Sequence, residues 1–522
     1  VVRHLDTTGI LNTIAGQGVV SIISPGQYAP GFSGDNGPAK RSQLNTPGDL
    51  SCAPDGALYI ADSGNHRIRR IRSSFPNAAV SDIFFPSQDG NLLYHFNSRG
   101  RHLATLDALN GQAVYKFHYD SSGRLIEIED IDGLKTIIQR DSAGNPIAII
   151  SPYNQKTLLK VSPSGYLAEI ANPAGETTQM NYTSDGLMTS FTNPRGHVST
   201  MTYDAQGRLT KDENPSGGFW KLEMTENTPD HFVVERTTAL NRLTRYQIDN
   251  LTNGNLRRRI TNPSGLTIES VKQANATQTA AYSDGTKLVA QEGPDPRFQM
   301  LAPIAKETTF STPAGLLFKK TITRTATLSN PIDILSLQLL KDIVNINGRS
   351  FIQEFDQSQK LWTLTSAVGR KSFTTVNEKG RPVKFQSANL EPIQMSYDSD
   401  GRITTLTQGT GAQERLLTFA YNPEGYVQTI KDPLNRNVQY EYDAAGRVTE
   451  ETLPDGREII YTYDANGNIS SIKPPGRPEH EFVYTPVDLV EDYTPPPVVG
   501  TGKTTYLYNL DKQLTRITRP DG

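Results

Sequence analysis

The chain has 522 residues, and its 52 basic and 55 acidic side chains nearly cancel to a net charge of −3. No basic stripe is present, so a nucleic-acid partner has no electrostatic footprint, and no apolar run approaches the roughly 18 residues of a membrane-spanning helix. The single cysteine, Cys52, excludes an intramolecular disulfide and a thiolate metal cluster. It sits beside Ala53 at an alternating apolar position and reads as a buried structural thiol.

An apolar share of 36%, with 42 Gly and 33 Pro, calls for a polar β protein with frequent turns. Length alone suggests about three domains, unless internal repeats make each unit pack mainly on its sequence neighbours. The first residues, Val1-Val2-Arg3-His4, lack the apolar core of a leader, and the chain reads as the middle of a longer protein.

The first eighty residues alternate short strands with Asp-Gly and Gly-Asn turns. Asn45 through Ile71 reads as three short strands separated by the Asp55-Gly56 and Gly64-Asn65 turns, part of a four-stranded blade. Val1 to Leu5 resembles Ile68-Arg69-Arg70-Ile71 as the closing strand of a preceding blade. Gly31 to Pro38 is an inserted loop. Asp35, Asp55 and Asp62 do not match a helical calcium loop and read as turn residues.

From residue 119 a 21-residue period takes over. Tyr119-Asp120 with Gly123 recurs as Tyr203-Asp204 with Gly207, and Gly144, Gly165 and Gly186 keep the frame between them. The aromatic slot reads Tyr119, Arg140, Val161, Tyr182, Tyr203. A second turn residue follows ten positions later at Gly133, Asn154, Gly175, Gly196 and Gly217. Turns this close leave six or seven residues between them, the length of a strand, so each period is two strands joined by tight turns. Between about 218 and 350 the frame blurs into hairpins with longer strands. The three arginines Arg257, Arg258 and Arg259 read as a strand cap or as partners for nearby carboxylates, and Asn330 to Lys341 fits a short helix or a buried strand.

The frame returns as Phe355, Val376, Tyr397, Tyr421, Tyr442, Tyr463, Tyr484 and Tyr508, with Asp398, Asp443 and Asp464 after three of the tyrosines. Turn glycines follow at Gly380, Gly401, Gly425, Gly446 and Gly467. Asp488 and Lys512 replace glycine, so those two turns are expected to differ. Tyr493 to Val498, with three prolines, is expected to form an external loop. The motif has a structural reason. Gly accepts positive φ, Asp accepts hydrogen bonds from turn N–H groups, and a tyrosine before the turn covers the neighbouring strand while its hydroxyl reaches a polar partner. Two periods would equal a propeller blade, but alternate units do not differ systematically, which favours one continuous wound sheet.

The stretch from Asn45 to Ile71 resembles the NHL class of β-propeller repeat. The Tyr-Asp-x-x-Gly-Arg-Leu units resemble the YD repeats of bacterial Rhs and teneurin-like proteins. Gly100 to Leu109, followed by Tyr115 to Asp120, is similar to that family's step from propeller to repeat. The resemblance implies an all-β fold: a spiral of β-hairpin (YD/RHS) repeats forming a large hollow barrel-like shell, preceded by part of an NHL-type β-propeller. It divides the chain into a propeller segment (1–80), a junction (81–118) and a shell (119–522) with a divergent middle (218–350).

It also implies a bacterial secreted or cell-surface protein that acts as an encapsulating shell, with a C-terminal toxin polypeptide beyond this sequence as cargo. The alternative is an extracellular adhesion scaffold that binds a cell-surface protein or glycan. Asp432-Pro433-Leu434-Asn435 lacks the glycine of the family's Asp-Pro-x-Gly self-cleavage motif, so autoproteolysis is not assigned. No catalytic, cofactor or metal residue is expected. The eight histidines show no metal spacing, His118 reads as a strand-surface residue, and no nucleophile elbow or phosphate loop occurs.

Overall fold

The computed structural model describes residues 2–5, 11–16, 39–52, 58–71, 82–97, 99–331, 333–497 and 502–521. Asp35, Asp55, the loop Gly31 to Pro38, the end of the proline segment at Val498 and the Cys52 side chain lie outside that description. The described residues are strand and turn almost throughout, with three short 3-10 turns. They fall into two compact units. The first comprises Val1–Lys116, Met224–Val234 and Arg245–Leu390, and the second Phe117–Glu223, Glu235–Thr244 and Glu391–Gly522.

In the first unit, Val2–Leu5 pairs antiparallel with Leu11–Ala15. Pro47–Cys52, Leu58–Asp62 and Arg67–Ile71 form a three-stranded antiparallel sheet. Val2, Ala15, Leu44 and Ile60 share a small buried cluster. The buried carboxylate of Asp62 accepts the Asn45 N–H at 2.7 Å and the Asn65 amide at 2.8 Å, and lies 3.6 Å from Arg69. Asp62 therefore ties together the turn residues of this sheet.

The rest of the first unit is antiparallel hairpins whose strands lengthen through the divergent middle. Lys287–Asp295, Gln299–Ser311, Leu317–Leu328 and Leu337–Ile346 run 9 to 13 residues. The ambiguous segment is a turn followed by a strand: Leu337–Ile346 pairs with both neighbours and buries Leu337 and Leu340 beside Phe355 and Val376. Apolar residues at mixed spacing gave no periodicity to separate helix from strand; pairing on both edges decides it. Arg257 and Arg259 meet Asp249 at 2.9 Å and Glu269 at 2.5 Å, as the charge pattern suggested.

In the second unit every period is a hairpin, and consecutive hairpins pair antiparallel, as in Ile128↔Thr136 and Met180↔Phe191. Strands such as Lys135–Arg140 and Val198–Tyr203 alternate exposed with half-buried residues. Buried apolar side chains are few among the described residues of this unit: Ala148, Ala171 and Met180. The sheet of this unit thus behaves as a single layer, in contrast to the two packed layers of an ordinary domain.

Candidate functional site: the repeat turns and the seam of the second unit

Each repeat turn is built on one aspartate or its substitute. At Asp120 the carbonyl accepts Gly123 N–H at 2.9 Å and the N–H donates to the Arg124 carbonyl at 3.0 Å. The side chain repeats this outside the backbone: Oδ1 accepts Arg124 N–H at 2.9 Å and Oδ2 accepts Arg124 Nε–H at 2.8 Å. The same four bonds recur at Asp204 with Arg208, Asp398 with Arg402, and Asp443 with Arg447. At Asp464 the amide of Asn468 replaces the guanidinium, at 3.0 Å. The residue before Asp204, Asp398, Asp443 and Asp464 sits at a register shift, for example between Glu441 and Tyr442. A type I turn closed by a left-handed residue and a bulge gives this pattern.

The turn glycines Gly123, Gly144, Gly165, Gly186, Gly207, Gly401, Gly425, Gly446 and Gly467 have φ between +75° and +92°. Asp488 and Lys512 have φ of +60° and +62°, and their turns keep the same backbone bonds. The expectation that these two turns differ is therefore corrected: they take the same shape, and the left-handed cost of about 1 kcal/mol for a non-glycine residue is carried by the surrounding bonds.

The arginine is the residue that reading the motif for Tyr, Asp and Gly left unexplained. Its recurrence four places after the aspartate was the available signal. It holds the carboxylate, and it also reaches the next hairpin: the guanidinium of Arg402 lies 4.4 Å from the Tyr421 ring and that of Arg447 lies 5.0 Å from the Tyr463 ring. Hydrogen bonds from Arg124 hold the Asp120 carboxyl below its usual range. Burial works against the charged form at Asp443, but bonds from Arg447 outweigh it and the net shift is also downward.

The tyrosines act as staples. Tyr203, Tyr442, Tyr463 and Tyr484 donate their hydroxyls to the carbonyls of Met188, Val427, Val448 and Ile469, each fifteen residues back, at 2.7–2.9 Å. Tyr421 and Tyr508, which follow the two longer periods, reach eighteen residues back to Ile403 and Val490. Arg140, in the same slot, reaches the Leu125 carbonyl fifteen residues back with its guanidinium at 3.0 Å. Tyr182 packs on Tyr166 with ring centroids 5.2 Å apart. Tyr119 and Tyr397 close the strands Ala113–Tyr119 and Ile393–Tyr397. Every hairpin so equipped is fastened to the one before it.

A second set of contacts lies far apart in sequence but inside the second unit. Arg195 donates to the carbonyls of Tyr484 at 2.7 Å and Thr485 at 3.0 Å and pairs with Asp488 at 3.2 Å and Asp464 at 3.4 Å. Its N–H bonds Asn466 Oδ1 at 3.0 Å. Tyr153 donates to Asp400 at 3.1 Å, Gln155 to the Glu424 carbonyl at 2.6 Å, Arg447 to Glu176 at 2.9 Å, and Thr238 to Asp511 at 2.9 Å. Turns of residues 151–242 thus meet turns of residues 398–513 along a polar seam. Local spacing did not reveal these partners.

Among the described residues, His118, Glu127 and Glu129 form the one group of three such donors close enough for a metal ion, their ligand atoms lying within 4.8 Å of one another. The Lys135 ammonium already occupies Glu127 at 2.9 Å. No described helix is long and apolar enough to cross a membrane.

Hairpin units joined by tyrosine staples and by a turn-to-turn seam define a YD-repeat wall protein. The chain belongs to the Teneurin YD-shell family, which it matches over residues 82–522, and residues 1–72 match the Teneurin NHL domain. It is similar to Teneurin-4 of Mus musculus, 35% identical over 142 residues, which is 27% of this chain and 5% of that protein. It is also 35% identical to Teneurin-m of Drosophila melanogaster over 116 residues, 21% of this chain and 4% of that protein. The chain therefore spans about one-twentieth of the length of these curated relatives. Among solved structures, a Photorhabdus luminescens Tc holotoxin pore aligns over 89% of this chain and 29% of its own, with TM-score 0.37 and 11% identity. A TcdB2–TccC3 structure aligns over 84% and 34%, with TM-score 0.32 and 12% identity.

Proposed function

We propose that this chain is the wall of an extracellular shell that encloses a polypeptide and performs no chemistry of its own. The seam carries the reading. A sheet that only displays a surface has no need for turns hundreds of residues apart to interlock, whereas a container fails wherever adjacent windings part. The single-layer sheet of the second unit supports it, because a wall that borders a water-filled space leaves both faces wet. A secreted or cell-surface location and a C-terminal toxin as the enclosed segment are parts of the same proposal.

The test is protease protection in the full-length protein. A segment that follows the shell should resist proteinase K while the wall is intact, and Arg195→Glu, which puts a carboxylate against Asp464 and Asp488, should expose it. Rapid digestion of that segment with an intact wall would overturn the container reading in favour of an adhesion scaffold.

A further inference from the structure

The repeat's aromatic slot runs Phe355, Val376, Tyr397, and at Val376 the ring is missing. At Tyr442, Tyr463 and Tyr484 the hydroxyl in this slot bonds the carbonyl fifteen residues back in the preceding hairpin. Valine is too short to do this. A cavity of about 140 Å³ lies against Val376, bounded by the turn of Asp107–Gln112 and the strands that carry Phe355 and Trp362, all within the first unit. A cavity of about 150 Å³ takes up benzene, so a bulkier hydroxylated ring would enter this one with its outer hydroxyls left in solvent.

Its lining selects the kind of ring. Phe355 and Trp362, centroids 4.9 Å apart and tilted 37°, supply aromatic carbon. Gln357 also borders the cavity, but its unpartnered Oε1 is closed off from it. Asn377 spends its Oδ1 on the N–H groups of Lys379 and Arg381, which leaves its amide N–H donors for another acceptor. Asp107 spends Oδ1 on the N–H groups of Leu109 and Asn110, which leaves Oδ2. An apolar ring would bury these groups unpaired, at about 1–3 kcal/mol each. An anion would meet the Asp107 carboxylate, and the Lys360 ammonium that also lines the cavity is already taken by Glu378. A ring with C–H faces and several hydroxyls matches aromatic carbon, acceptor and donor together.

We propose that this cavity binds one pyranose ring of a glycan. The proposal does not depend on whether the wall encloses a cargo.

The chain has two tryptophans, Trp220 and Trp362, and Trp220 is exposed. Trp220→Phe therefore leaves Trp362 as the sole indole reporter at the site. Methyl glycosides of glucose, galactose, mannose and N-acetylglucosamine would be titrated to about 100 mM, with glycerol as control, since a single ring should bind with a dissociation constant on the order of millimolar. We expect a saturable change in Trp362 emission with at least one sugar and none with glycerol. In the same background Val376→Tyr, which restores the repeat's own ring and fills the space, should abolish the response. No saturable response to any sugar would overturn the proposal and leave water as the occupant. A response undiminished in Val376→Tyr would overturn the assignment to this cavity.

Discussion

Replacing Gly446 by alanine separates two costs that the repeat turn imposes. Gly446 has φ of +81°, and a Cβ there would stand 2.4 Å from the Tyr426 hydroxyl oxygen and 2.7 Å from its Cζ. Tyr426 is not free to retreat, because its ring stacks on Tyr442 with centroids 4.8 Å apart. Gly456 supplies the control: its φ is +79°, and nothing lies within 4 Å of a Cβ. Gly456→Ala should therefore cost only the left-handed backbone term, about 1 kcal/mol. Gly446→Ala should cost that plus the displacement of a packed ring, about 2–4 kcal/mol in all.

A repeat chain need not unfold in one step, so the assay is local. Hydrogen exchange read by mass spectrometry over residues 421–447 and 448–463 reports each turn separately. The loss of protection should be larger for Gly446→Ala, and Tyr426→Ala in the same chain should remove the excess. Equal losses at the two glycines would refute the steric reasoning. So would an excess that persists without the Tyr426 ring.

Arg195→Ala strips two carbonyls and two carboxylates of their seam partner and should lower local stability around 464–488 by about 2–4 kcal/mol, seen as faster exchange there and unchanged exchange at 125–140. Tyr463→Phe removes one hydroxyl bond to Val448 and should cost about 1 kcal/mol, whereas Tyr463→Ala should cost about 3–5 kcal/mol, as compared by urea titration of the local exchange rates. The cluster of His231, Asp249, Glu226, Arg245 and Arg257 predicts a stability window in pH. Burial pushes the Asp249 carboxyl up, but Arg257, His231 and Gln247 outweigh it and lower it to about 2. Its contribution is complete above the unfolded value of about 4 and lost as the pH falls toward 2. Bonds to Asp249 and Glu226 raise His231 above 6.5, so its contribution is complete below that value and lost as the pH rises through the raised one. Protection of residues 226–257 should fall at both ends, and His231→Gln should remove the alkaline fall and reduce the acid one, which Arg257 still supports.

Much of this was legible in the chain because a repeat writes its local rules many times. The glycine, tyrosine and aspartate slots follow from backbone geometry that any copy must obey. The arginine of the turn was visible in the spacing, yet its role emerges only when its guanidinium is seen against the next tyrosine. Asp488 and Lys512 misled because an absent glycine says that strain is present, not that the turn is altered. Asp488 also holds Asn466, Asn468 and Arg195 with one carboxylate, which helps to fix its conformation. The seam was hidden for a different reason: partner choice across hundreds of residues leaves no local period. Turns that carry bulky polar residues, such as Tyr153 and Arg195, were its only trace. The Val376 cavity was present in the sequence as a gap in the aromatic slot, but a gap shows no lining until neighbours are placed around it.

The seam also constrains how such a chain can change. Gln155 meets the Glu424 carbonyl 269 residues on, Arg195 meets Asn466 271 residues on, and Thr238 meets Asp511 273 residues on. Tyr153–Asp400, 247 residues apart, and Arg195–Tyr484, 289 apart, fall roughly one hairpin period to either side of these three, so the intervening chain acts as a ruler marked in whole hairpins. Lengthening one loop or strand moves no partner, but deleting a whole hairpin between 242 and 398 would offer every turn on one side its neighbour's mate. All the pairs would be wrong at once, by the same step. The number of hairpins is thus specified as firmly as the identity of any residue, and this family should vary by stretching its units more readily than by losing them.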